Sequence, residues 1–366
     1  MIYIIYIPLI IYCFIWGYLF VGFLKTSYQT KINAVQPLSL SIVIPFRNER
    51  LRWNDLLESL LALDQGSCEL EIIFIDDHSS DDGVDYLKKW ILECDKPVSL
   101  ISLSEGSSGK KQAIEKAIET AKYDWIFTLD ADSAIHPSFL TVFAAHMEVG
   151  KSVYLMPVIE KDNGFFLSKV EADMLSVISY CSVGHQWPLL ANGAGMIYKK
   201  ELFNALSPYA NNSSVLSGDD LFFLEKLIPK KRHEIQSFNN KELTIITDSP
   251  KSYVQMLIRA VRWSTKMSRV QLTRTKFVGL VVFLCNVSLF PIVLYHICSS
   301  SFYSLYIVLG FKFLIDFLLL LLNKKNELTF NYFINSILTF IFYPFHLLVV
   351  LSYSIFNRSK WKGRNI

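Results

Sequence analysis

Four stretches almost free of charge constrain this chain more than any other feature. Residues Met1 to Leu24 carry no charge, and a helix of that length crosses a hydrocarbon core about 30 Å thick. Three more apolar stretches, Phe277–Cys298, Phe302–Leu322 and Phe330–Phe356, close the chain. The composition agrees. Of 366 residues, 52% are hydrophobic and 19% charged, against about 25% charge in a soluble globular domain. High apolar content without a heptad or Gly repeat excludes disorder, coiled coil and collagen. With 36 Lys and Arg against 33 Asp and Glu the net charge is only +3, which argues against a nucleic-acid binder. Six cysteines, at 13, 68, 94, 181, 285 and 298, form no CxxC. They read as free thiols in a reducing compartment.

The first stretch has neither the positive n-region nor the small-residue cleavage site of a signal peptide, so an uncleaved anchor over 1–24 is expected. Lys25 and Lys31 follow it and place the next segment in the cytoplasm by the positive-inside rule. Lys312 and Asp316 lie four residues apart in the third stretch, the spacing of a structural pair on one helical face. Three crossings over 277–356 would leave the basic tail of 357–366 (Arg358, Lys360, Lys362, Arg364) outside, against the same rule. If one stretch is re-entrant or interfacial, the tail lies inside.

Between these stretches the pattern changes. Leu40–Ile44, Glu71–Ile75 and Trp125–Leu129 are strand-length apolar runs. They alternate with helix-length polar segments, Arg50–Leu63, Asp82–Glu93 and Lys110–Lys122. Such alternation predicts an α/β domain over 38–249 with a mostly parallel, Rossmann-like sheet. Ligands on such sheets bind beyond the carboxyl ends of the strands, and there this chain clusters its polar residues: Pro45 to Glu49, Asp76 to Asp81, and Asp130 to Ser133. Carboxylates converging on one rim repel each other unless a cation or a hydrogen-bond donor sits among them. Asp-x-Asp at 130–132 suits a hard divalent ion, which takes carboxylate oxygens and leaves positions for phosphate. Helix capping is the alternative use of Asp and Ser. Asp81 reads as a cap, and Asp132, followed by His136-Pro137 rather than Glu or Gln, as a metal ligand. Ser107 to Ala113 opens a helix whose amides and Lys110 could face an anion.

The ordered set Ile42–Glu49, Ile75–Asp81, Gly109–Ala113, Leu129–Ser133, Asn192–Gly195 and Ser217–Asp220 resembles the membrane-bound family 2 inverting glycosyltransferases, over about Leu38 to Lys266. The resemblance implies the GT-A nucleotide-sugar fold. It implies that Pro45 and Glu49 shape the nucleotide pocket and that Asp77 accepts a hydrogen bond from the base, uracil by preference. Lys110 would lie near the diphosphate, Asp130 near ribose or sugar, and Asp132 on Mg²⁺ or Mn²⁺. Asp220 matches the catalytic base, with Asp219 where the family more often has Glu. The family's Gln-x-x-Arg-Trp is matched by Arg262 and Trp263, on the acceptor or diphosphate side, whereas Arg259 replaces Gln. With few spans to build a channel, transfer of one or very few sugars is expected rather than a long polymer.

Lys251 to Lys276 holds seven Lys or Arg and no acid, with Val254, Leu257, Ile258 and Val261 at helical spacing. A basic amphipathic helix over 250–276, lying on anionic headgroups, follows. The chain thus reads as a multi-pass cell-membrane transferase with a cytoplasmic catalytic domain. It would move a sugar from a nucleotide-diphosphate sugar to a hydroxyl of a lipid-linked or envelope saccharide acceptor, with membrane lipids and no nucleic acid as partners. Two alternatives stand beside it. One is a membrane-tethered nucleotidyltransferase, although Pro-Phe-Arg-Asn-Glu replaces the Gly-rich loop expected after its first strand. The other is a non-catalytic membrane scaffold of the same fold. Trp187 and His185 read either as acceptor-pocket residues or as packed loop residues, and Cys181 as core.

Overall fold

The computed structural model describes residues 2–29, 37–210, 212, 215, 218–323, 329–356, 360–361 and 364–365. Lys31, Ser217, Arg358 and Lys362 lie outside the described residues. The strands, in chain order, are β1 (Ser39–Phe46), β2 (Glu69–Asp76), β3 (Val98–Ser102), β4 (Trp125–Thr128), β5 (Ser133–Ala134), β6 (Val153–Leu155), β7 (Val158–Glu160), β8 (Met196–Lys199), β9 (Ile235–Ser237) and β10 (Ile245–Thr247). Seven form one sheet in the order β3-β2-β1-β4-β8-β6-β9. The pairs β1–β2, β2–β3, β1–β4 and β6–β9 are parallel, and β8 runs antiparallel to both β4 and β6. The mostly parallel sheet expected from the alternating pattern is therefore present. Its reversed strand β8 and half-buried edge strand β3 are not evident from periodicity. A second sheet, β5-β10-β7, closes over one end.

The helices of the soluble part are α2 (Trp53–Leu61), α3 (Gly83–Glu93), α4 (Lys110–Thr120), α5 (Phe139–His146), α6 (Phe166–Val183), α7 (Lys200–Leu206) and α8 (Asp219–Lys231), with α1 (Ile7–Gln29) before them. They cover both faces of the sheet. Alternation along β1 sends Ile42 and Ile44 toward Trp53, Leu56 and Leu60 of α2, while Val43 packs with Ile114 and Ile118 of α4. Strands buried on both sides are the reason their sequences read as continuous apolar runs. Pro45 is tolerated in this central strand for a local reason. Val43 faces β4, its carbonyl accepting from the Leu129 amide at 3.0 Å. Pro45, two residues on, faces the same way, but β4 pairs with β1 only as far as Val43, so no ladder bond is lost.

After the soluble part come α9 (Tyr253–Arg269), α10 (Thr273–Cys298), α11 (Phe302–Leu321) and α12 (Phe330–Phe356). Four helices, over Tyr3–Thr26, Thr273–Cys298, Phe302–Leu321 and Phe330–Ile355, are long and apolar enough to cross a membrane. Lys312 Nζ pairs with Asp316 at 2.5 Å and donates to Asn286 of α10 at 3.2 Å. The Tyr12 hydroxyl of α1 donates to the other Asp316 oxygen at 2.5 Å. The pair is structural, and it ties three helices together.

Helix α1 docks on α6 at two glycines. A Cβ on Gly184 would lie 2.0 Å from the Gly22 carbonyl oxygen, and one on Gly22 would lie 2.1 Å from that of Cys181. Backbone cannot yield as a side chain can. Gly184→Val should cost about 1–3 kcal/mol by overpacking and lower the unfolding temperature of the detergent-solubilised protein by several degrees. Gly17→Ala, on open space in α1, should leave it unchanged or raised. Equal melting of the two variants would contradict this packing.

Candidate active site

Parallel β1, β2 and β4 bring their carboxyl ends, and the acidic residues that follow them, to one edge. The loop after β1 is locked to the loop after β2. Arg47 donates to the Asp77 carbonyl at 2.9 Å, with the Asp77 carboxylate at 4.0 Å. Asn48, in a left-handed conformation (φ 51°), accepts from the Ser80 amide at 2.7 Å. Asn tolerates that region better than most side chains do. Asp81 accepts from the Gly83 amide, the first of α3, at 3.2 Å and from the Arg50 amide at the same distance, although the N-cap position itself is held by Asp82.

The centre of the rim is Lys110, the first residue of α4. Its Nζ lies 2.7 Å from Asp130, just beyond β4, and 2.9 Å from Asp219, the first residue of α8. Burial disfavours the ammonium, but the two carboxylates outweigh burial and raise the Lys110 pKa above the ordinary lysine range. Asp219 mirrors this. Burial acts to raise it, yet Lys110 and then Lys266 hold it below the usual carboxylate range. The contact needs Gly193, where a Cβ would lie 2.3 Å from Asp219 Oδ2 and 2.9 Å from Lys110 Nζ. Arg262 joins the same group. Burial pulls its guanidinium below the usual arginine range, while Asp130, Asp132 and Asp219 act in the opposite sense.

Asp220 is held from α9. Lys266 Nζ lies 3.0 and 2.9 Å from its two oxygens, and Oδ1 also accepts from the Leu221 amide at 2.8 Å. A carboxylate offers about four lone-pair sites, so among the described contacts one remains, on Oδ2. Asp219 and Asp220 point to different lysines on different helices, an assignment that sequence alone leaves undetermined.

The segment expected as a basic amphipathic helix over 250–276 contains α9, Tyr253–Arg269, and its basic residues divide between the domain and the surface. The helix forms as expected, with Ser252 accepting from the Gln255 amide and Gln255 reaching back to the Lys251 amide, a reciprocal cap. Arg259, Arg262 and Lys266 turn inward, whereas Arg269 is exposed. Arg259 pairs with Glu160 of β7, donates to Ser168 at 2.8 Å, lies 3.6 Å from Glu171 of α6 and stacks 4.6 Å over Trp263. Arg262 and Lys266 face the rim, whereas Val254 is exposed. Buried carboxylates compete for these cations more strongly than hydrated headgroups. The spacing carried a signal for this, since Arg262 and Lys266 lie one helical turn apart and share a face.

Asp132 sits where Arg52 bridges it at 3.5 Å to Glu49 at 3.7 Å. Burial, then the carboxylates of Asp130 and Glu49, push the Asp132 carboxyl up to about 7, against Arg52. The hydroxyl of Ser133 beside it is buried, with no hydrogen-bond partner among the described residues. Among the described residues no three His, Cys, Asp or Glu side chains group as a complete metal cage. A hard divalent ion that takes one or two carboxylates and completes its shell from phosphate needs no such cage. Crowded carboxylates beside an orphaned hydroxyl fit such an ion.

The remaining candidates lie elsewhere. His185 donates to the Tyr18 carbonyl at 2.7 Å and stacks on the Tyr18 ring. Trp187 lies between the guanidiniums of Arg274 at 3.6 Å and Arg232 at 4.6 Å. Both are packed loop residues, and Cys181 is core. Sequence reasoning missed Lys266, Arg52, Glu160 and Glu171, whose partners are far away in the chain.

Comparison with known proteins gives two family matches. The model described as glycosyl transferase family 2 matches residues 41–202, and that of glycosyl transferase family group 2 matches residues 125–355. Poly(ribitol-phosphate) beta-N-acetylglucosaminyltransferase TarS of Staphylococcus aureus is 25% identical over 127 residues, 35% of this chain and 22% of that protein. Undecaprenyl-phosphate 4-deoxy-4-formamido-L-arabinose transferase of Pseudomonas fluorescens is 33% identical over 115 residues, 31% of this chain and 34% of that one. The chain thus spans about a third or less of these relatives' lengths. A mannosyltransferase structure from Pyrobaculum calidifontis, in complex with GDP-Man and Mn²⁺, superposes with a TM-score of 0.60 at 14% identity, covering 98% of this chain and 100% of that one. That likeness is one of fold.

Arg259 offers a test of the inward-facing helix. Arg259→Leu strands Glu160 and Glu171 in a buried site, where loss of one partner of a buried pair costs about 3–5 kcal/mol. Thermal unfolding should shift down strongly, and Arg259→Lys should recover part of the loss. Unchanged stability of Arg259→Leu would show that these cations do not hold α9 to the domain.

Proposed function

The chain belongs to glycosyl transferase family group 2, and from that premise we propose that it transfers a sugar, with inversion, from a nucleotide-diphosphate sugar to a hydroxyl of a lipid-linked or envelope saccharide acceptor at the membrane. The observation that carries this reading is the rim itself: Lys110 between Asp130 and Asp219, Asp132 crowded by carboxylates, and Asp220 on α8 beside them. Family membership sets aside the nucleotidyltransferase reading.

In this reading Pro45, Glu49 and Asp77 shape the nucleotide pocket, with uracil as the preferred base. Asp130 faces ribose or sugar. Asp132 would hold Mg²⁺ or Mn²⁺ together with donor phosphate oxygens, and the ion supplies charge neutralisation to the leaving diphosphate. The Pyrobaculum mannosyltransferase binds Mn²⁺ and a guanine nucleotide sugar, so GDP-sugars belong in any donor panel. Lys110 and Arg262 add positive charge where the diphosphate's negative charge develops. An acceptor hydroxyl, with a pKa far above 7, must lose its proton as it attacks. Asp220 takes that proton on the oxygen site left free, with Lys266 and the Leu221 amide fixing the carboxylate's orientation. A single displacement then inverts the anomeric carbon. Asp219, Arg262 and Trp263 lie on the acceptor or diphosphate side. The domain faces the cytoplasm, where nucleotide sugars are made.

Similarity to the Pseudomonas undecaprenyl-phosphate transferase supports a lipid-linked acceptor. So does the continuity of α9, which carries Lys266, with the apolar helices that follow. Asp220→Asn should bind donor like the wild type in calorimetry and lose transfer from radiolabelled donor to a membrane lipid extract by about 10²–10⁴-fold. Normal turnover by this variant would remove Asp220 as the base.

A further inference from the structure

A cavity of about 320 Å³ lies among α1, α6, α10, α11 and α12, and none of the rim carboxylates Asp130, Asp132, Asp219 and Asp220 lines it. Its walls are apolar for most of their extent. One end is lined by Met267 of α9, adjacent to the Lys266 that holds Asp220. The other end is lined by Asn286, Lys312 and Asp316. From Thr275 to Asn286, both on its wall, α10 rises roughly 16 Å at 1.5 Å per residue. That is about half of a hydrocarbon core.

Two observations say what such a space would take. The charged groups on its wall are already paired: Lys312 is bonded to Asp316 and Asn286, Asp316 to Tyr12, and Glu171 to the Tyr343 hydroxyl with Arg259 at 3.6 Å. They therefore ask no counter-charge of a ligand. The rest of the wall is apolar, and an apolar cavity takes hydrocarbon rather than water. Gly279 gives the way in. It lines the cavity, is exposed, and has no described atom within 4 Å of where a Cβ would stand.

We propose that this cavity binds hydrocarbon of the lipid acceptor, entering past Gly279, with the lipid's head group emerging beside Met267 on the side of the active site. The proposal rests on the reading of the acceptor as lipid-linked. It adds the site that selects such a lipid and sets the position of its hydroxyl or phosphate relative to Asp220.

The test uses full-length protein in nanodiscs of saturated phosphatidylcholine with two photoprobes, hexadecyl phosphate and farnesyl phosphate, each bearing a mid-chain diazirine. The labelled residues are mapped by mass spectrometry. Label is expected on cavity-lining residues such as Val282, Phe313 and Phe340. Whichever probe labels more strongly identifies a straight or an isoprenoid chain. Gly279→Trp should cut that labelling about tenfold, comparable to losing the burial of roughly two methylenes, while nucleotide binding stays at the wild-type level and reports an intact domain. Label confined to outward-facing residues such as Leu280 and Leu284, or cavity label that Gly279→Trp leaves unchanged, would overturn the proposal. The wild-type map alone decides if the variant does not fold. Labelling requires no donor and no turnover, so it fails or succeeds separately from the transferase reading. Cavity labelling in a protein that glycosylates only soluble saccharides would overturn the acceptor assignment.

Discussion

The rim depends on one half-buried ammonium. Lys110 stands between Asp130 and Asp219, and without it two carboxylates would face each other with the repulsion that geometry implies. The contact joins three elements that the sheet alone does not hold together: the end of β4, the start of α4 and the start of α8. Gly193 opens the space for it, and Gly109 (φ 100°) and Gly218 (φ 92°) let the two helices begin at that angle. The same cation that makes the rim stable is also the one a diphosphate would meet. The site is therefore positively prepared only at the cost of being closely balanced by acids.

The second constraint comes from α9. Its cations serve three acidic groups in turn: Arg259 the Glu160 and Glu171 pair, Arg262 the rim, and Lys266 Asp220. Burial pushes the Glu171 carboxyl up, with Arg259 and the Tyr343 hydroxyl of α12 opposing it. The domain and the apolar helices are thus fastened by charge at one level and by close backbone contact of α1 with α6 at another.

Much of this was legible in the sequence, and the rest was not for identifiable reasons. The strand runs, the rim carboxylates and the four apolar stretches are local features, visible within a short window of sequence. Lys312 and Asp316 could be paired because a helix places i and i+4 together. Lys266 with Asp220 and Arg259 with Glu160 are separated by 46 and 99 residues, and no local period encodes such contacts. The basic run in α9 was visible, but its destination depended on acids contributed by β7, α6 and α8. The reversal of β8 was hidden for another reason, since a buried strand carries the same apolar run in either direction.

The account we propose is a transferase of the GT-A fold at the membrane, with donor and metal at the strand ends and a lipid acceptor arriving from the helices. Its most direct test is release of nucleoside diphosphate by the detergent-purified protein across a panel of UDP- and GDP-sugars. Release is followed with Mn²⁺, with Mg²⁺ and with EDTA, with the membrane lipid extract present as acceptor and Asp132→Ala measured in parallel. The account predicts metal-dependent release from one donor class that EDTA and Asp132→Ala both abolish. Release that persists in EDTA and in Asp132→Ala, or no release and no metal-dependent binding from any donor, would contradict it.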